Sequence, residues 1–360
     1  MRKCQDNRTF VLKKRPAPLA IGVRVWYNIL DMNPNSKENM ERMSKQTKRA
    51  CDTPYKTMIG GQALIEGIMM LGPEKKAVVV RKPDGELAEQ VEERVLIKDK
   101  HPILGVPFIR GVFNFCSSMA NGVKALMYSA SFVPEDEEEP EEPSKFEQWL
   151  DKHLGSEKAA SALVTVAVVL GICFSVGLFI LLPTALVGLL GHFTPLAMWL
   201  RNLLEGVVRI IIFVGYLILC AHMKDIHRVF QYHGAEHKTI FCYEHGLPLT
   251  VENVRKQPRH HPRCGTSFLF VVIVVSILLS SVVFSFVEVT NTFLRMGLHL
   301  LMLPVIVSLT YEFNRLVGRH DNWFTRFMSA PGMWLQNWTT FEPDDSMIEV
   351  GIRAFTLVLP

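Results

Sequence analysis

Four apolar runs, each about as long as the hydrocarbon core of a bilayer is thick, constrain the fold of this chain more than any other feature. A membrane-spanning helix needs about 20 consecutive apolar residues. Runs of this kind occupy residues 162–190, 203–220, 268–287 and 294–313. Pro183 lies inside the first run and is expected to break its helix. Because backbone polar groups in hydrocarbon must be satisfied within the segment, the predicted fold class is an α-helical polytopic membrane protein with about four transmembrane helices.

Basic residues are distributed unequally between the connections of these runs. The connection 221–267 contains Lys224, Arg228, Lys238, Arg255, Lys256, Arg259 and Arg263, whereas 191–202 and 288–292 are nearly free of lysine and arginine. By the positive-inside rule, the 221–267 loop faces the cytoplasm. Four spans then place the N- and C-termini in the cytoplasm as well. The seven cysteines show no paired short spacing, which is typical of a reducing compartment.

The remaining segments differ in composition and predict the domain organisation. Residues 1–52 are basic and irregular, so we expect a disordered extension, with Met43 as an alternative start. Residues 134–144 form an acidic, proline-punctuated linker that we expect to be disordered. We assign residues 145–313 to the four-span membrane domain, including its cytoplasmic 221–267 loop, and residues 314–360 to a cytoplasmic C-terminal region.

Residues 53–133 are predicted to form a small mixed α/β cytoplasmic part. Residues 77–82 favour a strand, Pro83-Asp84-Gly85 favours a turn, and residues 86–97 favour the return strand. Residues 103–132 are apolar but interrupted by polar side chains. We interpret them as a helix or helix pair at the membrane surface or against the spans, and a re-entrant or spanning segment is the alternative. A net charge of +4, with no basic helix interleaved with aromatic residues, argues against a nucleic-acid partner.

Seven of the chain's twelve histidines lie between His222 and His261. At the centre of this stretch is the pattern His233-x-x-Glu236-His237. On a helix, residues four apart share one face, so both imidazoles can reach one metal ion. Glu236 is about 60° round the helix from His233, where it can poise a water molecule. This is the order of the inverted zincin motif. The alternative is a pair of core histidines that are satisfied by backbone or carboxylate hydrogen bonds.

A third metal ligand is expected from the end of the same loop. His261 and Cys264 are three residues apart, and both side chains can ligate zinc. The predicted site has His233, His237 and either His261 or Cys264 as ligands, with an open position for water. The alternative is that the segment around Cys264 only caps the next helix.

Ionisable or polar residues in apolar surroundings are further candidates for functional roles. Glu312, near the end of the fourth run, is a candidate metal ligand, although an ion pair with Arg315 is the simpler prediction. Glu66 and Gln62 lie in a glycine-rich apolar stretch and are weaker candidates. Glu205 and Arg209, four residues apart in the second run, are predicted to pair along one helix face near the headgroups; a transport role is the alternative.

Ordered motifs of this chain resemble those of the YqhQ-like family of bacterial membrane proteins. They are the segments 60–70 (GGQALIEGIMM), 232–238 (YHGAEHK), 261–268 (HPRCGTSF), 331–336 (PGMWLQ) and 339–345 (TTFEPDD). The resemblance covers roughly residues 58–355, and the N-terminal extension and the acidic linker depart from the family pattern. It implies a protein of the bacterial inner membrane and a metal-dependent enzyme. Carried over to this chain, it implicates His233, Glu236, His237, His261 and Cys264.

These observations predict a zinc-dependent hydrolase or peptidase that acts at the membrane face, with Glu236 as general base and a divalent metal, zinc, as cofactor. The alternative is a non-catalytic regulator or adaptor of protein translocation or membrane-protein quality control. Its partner would be another membrane protein.

Overall fold

A four-stranded antiparallel sheet forms the first folded unit of the chain. The computed structural model describes residues 57, 59–94, 105–133, 156–194, 196–287, 289, 291–319 and 322–359. The strands are β1 (Gly60–Leu64), β2 (Gly67–Leu71), β3 (Lys75–Arg81) and β4 (Leu87–Glu93), and each pairs with the next in sequence. The predicted strand and turn at 77–85 are confirmed, and Gly85 supplies the positive φ of 87° that the turn needs. The extension 1–52 and the linker 134–144 lie outside the described residues.

Helices make up most of the rest of the described chain. Before the membrane spans lies α1 (Ile109–Ala130). The others are α2 (Ser156–Val176), α3 (Leu182–Phe193), α4 (Met198–Ala221), α5 (Lys224–Glu244), α6 (Val251–Arg255), α7 (Gly265–Phe286), α8 (Thr292–Arg319), α9 (Trp323–Thr339) and α10 (Asp345–Val358).

The described helices include four that are long and apolar enough to cross a membrane, as the sequence predicts. They are Ala162–Phe193, Met198–Ala221, Phe268–Phe286 and Thr292–Val317. The expected break at Pro183 is wrong, because the first of them continues through it. A proline lacks the N–H that closes the regular helical ladder and clashes with the carbonyl four residues before it. The helix accommodates Pro183 by widening into a π-helical turn at Gly177–Leu181, which joins α2 to α3.

Both faces of the sheet are covered, which explains why Ala77–Val80 is apolar without alternation. One face packs on α5 and α10 through a core that includes Ile68, Val79, Tyr232 and Phe355. The opposite face packs on Ala125 of α1. The sheet therefore packs against one side of α5, and this packing fixes the position of the helix that carries His233 and His237.

The segment 60–70, to which the sequence assigned no structure, forms the β1–β2 hairpin. Its tight turn holds Glu66 at a φ of 51°, a left-handed conformation that non-glycine residues rarely adopt. The Glu66 carboxylate pairs with Arg228 and accepts a hydrogen bond from the Tyr232 hydroxyl at 3.1 Å. Glu66 thus attaches the hairpin to α5 and lies outside the candidate metal site.

Buried charges join the second, third and fourth spans, and the predicted pairing of Glu205 with Arg209 along one helix is wrong. The Glu205 carboxylate lies 2.7 Å from the Arg295 guanidinium of α8 and 3.2 Å from the His299 ring. Arg209 instead donates to the Ser276 hydroxyl of α7 at 2.6 Å. Sequence spacing favours partners on the same helix, but burial between helices brings partners from other spans closer.

Helix α1 packs beside the end of α8, which agrees with the predicted helix against the spans. Glu312 pairs with Arg110 of α1, so the predicted pair with Arg315 is wrong. Asn114 donates to the Tyr311 hydroxyl at 2.8 Å, and the backbone at Gly111 approaches that of Ser308 closely. A planar guanidinium from a neighbouring helix can bind both carboxylate oxygens, and this geometry favours the Arg110 pair.

Candidate metal centre

Helix α5 carries the central histidine pattern, as predicted, on the face that turns away from solvent. Its middle is held by the segment that follows α9, where the Phe341 N–H donates to the Phe230 carbonyl oxygen at 3.0 Å. Gly234 allows this approach, since a Cβ there would overlap the Phe341 carbonyl oxygen. The neighbouring residues His237 and Glu236 are buried, and His233 is half-buried.

Three side chains converge with the atoms that bind transition metals. One donor atom from each of His233, His237 and Cys264 lies within 4.8 Å of the other two. His233 Nε2 lies 3.1 Å from Cys264 Sγ. Zinc bonds of about 2.0–2.3 Å at tetrahedral angles place neighbouring ligand atoms roughly 3.3–3.7 Å apart. Small side-chain adjustments would therefore bring all three donors to an ion.

Both imidazoles are oriented by backbone carbonyls, and this fixes which nitrogen is free. His233 Nδ1 lies 2.8 Å from the Thr339 carbonyl oxygen, and His237 Nδ1 lies 2.6 Å from that of Arg259. A carbonyl oxygen can only accept, so each Nδ1 carries the proton and donates it. The Nε2 atom of each neutral ring is then unprotonated, and its lone pair can bind a metal ion. This arrangement is typical of metal-ligating histidines.

Cys264 comes from a different element, immediately before α7. Burial opposes ionisation of its thiol, but the neighbouring His233 and His237 rings outweigh it and hold the pKa of Cys264 well below its ordinary value. Burial likewise opposes a charged His233 ring, yet the Cys264 sulfur raises the pKa of His233 to about 9. Both shifts reflect one property of the cluster: positive charge beside Cys264 stabilises its thiolate, and a bound cation would supply such a charge.

Glu236 lies beside these three residues and is held by the sheet. Its Oε1 atom accepts a hydrogen bond from the Gly61 N–H of β1 at 2.9 Å. Its Oε2 atom is buried and has no hydrogen-bond partner among the described residues. Burial raises the pKa of Glu236, although His233 and His237 act in the opposite direction. A buried carboxylate oxygen without a partner indicates that a further polar group belongs at this position.

His261, the other predicted third ligand, is close to the centre but not among the converging donors. Its backbone N–H and carbonyl both bond to the Gln336 side chain, and its Nε2 atom lies 3.9 Å from a Glu244 oxygen. The ring centroids of His261 and His237 are 5.5 Å apart. The structure thus brings together His233, His237, Glu236 and Cys264. His261 lies next to His237 but outside this group.

Residues that the sequence did not single out complete the surroundings of the centre. Gly61 approaches Glu236 so closely that a Cβ would lie 3.0 Å from the carboxylate. Thr339 and Arg259 contribute only backbone carbonyl oxygens. Every residue type has such an oxygen, so the sequence gives no sign of this role. The signal for Gly61 was the glycine pair of the segment 60–70, because glycine allows close backbone approach. Gln62, the weaker candidate beside it, instead lies against Gly122 of α1.

Comparison with known proteins identifies the family. A family model described as "Protein of unknown function (DUF1385)" matches residues 106–360, which is more than half of the chain. The chain belongs to this family. It is also 34% identical over 301 residues to the uncharacterized protein YqhQ of Bacillus subtilis (strain 168), covering 83% of this chain and 92% of the relative. No solved structure matches.

The DUF1385 match contains the converging donors and Glu236 but begins after the sheet. The similarity to YqhQ covers a larger share of the chain than residues 106–360, so it extends into the residues before 106. The β1 strand that holds Glu236 lies in that earlier part. Membership of the DUF1385 family therefore agrees with the resemblance seen in the sequence motifs, and it assigns no reaction to the site.

A methyl group at Gly234 tests how far the centre depends on the close approach of Phe341. We expect Gly234→Ala to push the segment after α9 away and to lower stability by about 1–3 kcal/mol, as overpacking does. The displaced Thr339 carbonyl would also release His233, so metal affinity should fall. Thermal unfolding and metal content measure the two effects. Gly215→Ala is the matched control, since a Cβ there meets open space. Equal stability and metal content of the two variants would contradict the prediction.

Proposed function

We propose that this chain is a membrane-embedded metalloprotein that holds zinc between His233, His237 and Cys264 and catalyses a hydrolytic reaction. The observation that carries the proposal is the orientation of the two imidazoles. Both Nδ1–H groups donate hydrogen bonds to the carbonyl oxygens of Thr339 and Arg259, so the lone pairs of both Nε2 atoms are directed toward the Cys264 sulfur, where they can bind a metal ion. Imidazoles whose Nδ1 atoms are held by backbone carbonyls and whose Nε2 atoms converge on a cysteine sulfur are typical of metal ligands.

The donor set favours zinc among the common divalent ions. Thiolate and imidazole are ligands that zinc prefers, whereas magnesium and calcium require oxygen. Three protein ligands leave one position open, which is typical of catalytic sites, while structural zinc sites usually have four. A zinc ion in such a site supplies Lewis-acid activation of a water molecule or of a substrate carbonyl. Of the three donors, His237 is buried, and His233 and Cys264 are partly exposed.

Glu236 would act as the general base of the reaction. The Gly61 N–H fixes its Oε1 atom, which leaves the buried Oε2 atom to accept a proton from the attacking water. Burial raises the pKa of the Glu236 carboxyl. A general base is most effective when its pKa lies near the working pH, so a raised pKa suits this role. The basic residues of the 221–267 loop support a cytoplasmic position for the site.

Glu236→Gln tests the assignment of the base. The two side chains have nearly the same shape, but an amide does not accept a proton at neutral pH. We expect the variant to keep stoichiometric zinc and to lose about 100-fold or more of the hydrolytic rate. Zinc is measured by elemental mass spectrometry, and hydrolysis is measured with a panel of model peptide and ester substrates.

Two outcomes would contradict this proposal in different ways. Loss of zinc in Glu236→Gln would make Glu236 a ligand and not a base. If the zinc-loaded natural chain hydrolyses no member of the panel, or if Glu236→Gln hydrolyses it equally well, catalysis through Glu236 is wrong. The non-catalytic alternative, a regulator of another membrane protein, would then be favoured.

A further inference from the structure

A cavity of about 560 Å³ lies where the second span passes into α5, and the metal centre does not use it. Its walls come from the end of α4, the start of α5 and the end of α9. This volume is within the range of small-molecule sites. None of the residues that converge at the metal centre contributes to its walls.

The charged and titratable groups of this cavity are all basic or neutral. His222, Lys224, His227 and Arg228 line it, and no acidic residue does. Arg228 is engaged by Glu66, and the His227 ring stacks on Phe341 with centroids 4.0 Å apart. Among the described residues, no side-chain hydrogen bond or ion pair engages the Lys224 ammonium group, and Lys224 is exposed. Of the two charged side chains that line the cavity, Arg228 is paired with Glu66 and Lys224 has no ion pair among the described residues, so the lining offers a positive charge.

The position of the cavity places it at the level of lipid headgroups. Span α4 ends at Ala221, which itself lines the cavity, so the cavity begins where the hydrocarbon-spanning helix stops. Helix α9 carries an aromatic stripe along one face, with Trp323, Phe327 and Trp334 exposed by 78%, 64% and 55%. Exposed aromatic residues of this kind are typical of the membrane–water interface. Trp338, one turn beyond Trp334, lines the cavity.

The cavity and the metal centre lie on different faces of α5. At about 100° per residue, the mean direction of Lys224, His227 and Arg228 is roughly 150° from that of His233 and His237. A ligand in the cavity would therefore not reach the metal donors. Ligand binding in this cavity is therefore independent of the proposed hydrolytic function.

We infer that this cavity binds the phosphate-bearing headgroup of an anionic membrane lipid. Lys224 and the neighbouring basic side chains would meet the phosphate, and basic residues beside a membrane helix attract anionic lipids in this way. Trp338 and Phe341 would cover the glycerol region, and the acyl chains would continue into the hydrocarbon beside α4. A zwitterionic lipid of the same chain length lacks the net charge that this lining selects.

Lipid binding by the full-length chain in detergent micelles tests the inference. The probes are phosphatidylglycerol, phosphatidylcholine with the same acyl chains, and glycerol 3-phosphate, which has the phosphate but no acyl chains. Native mass spectrometry measures the bound fraction during titration. We expect phosphatidylglycerol to bind most tightly. Equal binding of the two lipids would overturn the inference. Glycerol 3-phosphate binding as tightly as phosphatidylglycerol would show that the ligand is a soluble phosphate.

Charge reversal at Lys224 locates the binding to this cavity. We expect Lys224→Glu to weaken phosphatidylglycerol binding about tenfold or more, because one attraction is lost and one repulsion is added. Lys124→Glu on α1 is the matched control, since Lys124 is also exposed and does not line the cavity. Both variants should melt at the temperature of the natural chain without lipid, and Lys224→Gln repeats the test with a milder change. Unchanged binding in Lys224→Glu, or an equal loss in Lys124→Glu, would overturn the inference.

Discussion

Alanine at His233, His237 or Cys264 is expected to abolish stoichiometric zinc binding. Losing an outer partner of a metal ligand already costs about 10–100-fold in affinity, and losing a direct ligand should cost more. Two remaining protein ligands usually cannot hold a catalytic zinc ion. Elemental analysis of the purified chain measures the loss. Cobalt substitution adds a specific signal, because a thiolate-to-cobalt absorption band should be present in the natural chain and absent in Cys264→Ala.

Two further histidine variants make this prediction sharper. His245→Ala changes the same residue type just beyond α5, away from the converging donors, and should keep the metal. His261→Asn separates the two predictions for the third ligand. If Cys264 is that ligand, His261→Asn keeps zinc and the cobalt band. Loss of zinc in His261→Asn, with zinc retained in Cys264→Ala, would show that the donor set of the structure is wrong.

Removing the Glu205 carboxylate is expected to destabilise the membrane part of the chain more than any surface change. Glu205 is the carboxylate nearest to Arg295, which is 0% exposed, and also faces His299. The other carboxylate within the described spans, Glu312, pairs with Arg110. Breaking a buried ion pair leaves an uncompensated charge and costs about 3–5 kcal/mol. Glu205→Ala should therefore lower the unfolding free energy by about that amount, as measured by denaturant titration in detergent.

A matched pair of variants separates burial from charge in this experiment. Glu89→Ala removes the carboxylate of an exposed ion pair with Arg353, and such pairs contribute about 0–1 kcal/mol. Glu205→Gln keeps the size of the side chain but not its charge, so most of the loss should persist. If Glu205→Ala and Glu89→Ala destabilise the chain equally, the buried cluster does not hold the spans together.

Periodicity allowed the sequence to predict the central part of the site. The four-residue spacing of His233 and His237 places both rings on one face whatever the helix packs against, and the apolar residues at the same spacing indicated that this face is inward. The pattern of lengths and hydropathy likewise predicted the spans, because each helix must satisfy its own backbone in the membrane. Cys264 was predicted as an alternative to His261 only because the loop between them and α5 is long enough to fold back.

Contacts between elements distant in sequence could not be predicted from the spacing of residues along the chain, and some were predicted incorrectly. Glu205 and Glu312 were assigned partners on their own helices, and both have partners on other helices. The role of Gly61 was hidden because it donates a backbone N–H to Glu236 across 175 residues. Pro183 was expected to end a helix that instead continues by widening one turn.

Periodicity and the length of apolar runs act within one helix or strand, so the elements and the faces they bury can be predicted from local pattern. Tertiary packing decides which side chains meet. Packing brings Cys264, and not His261, into the group of converging donors with His233. It also places the Thr339 and Arg259 carbonyls beside the two imidazoles and Arg295 beside Glu205. These choices depend on how whole elements pack, and packing is set by the summed contacts of many residues that no local pattern records.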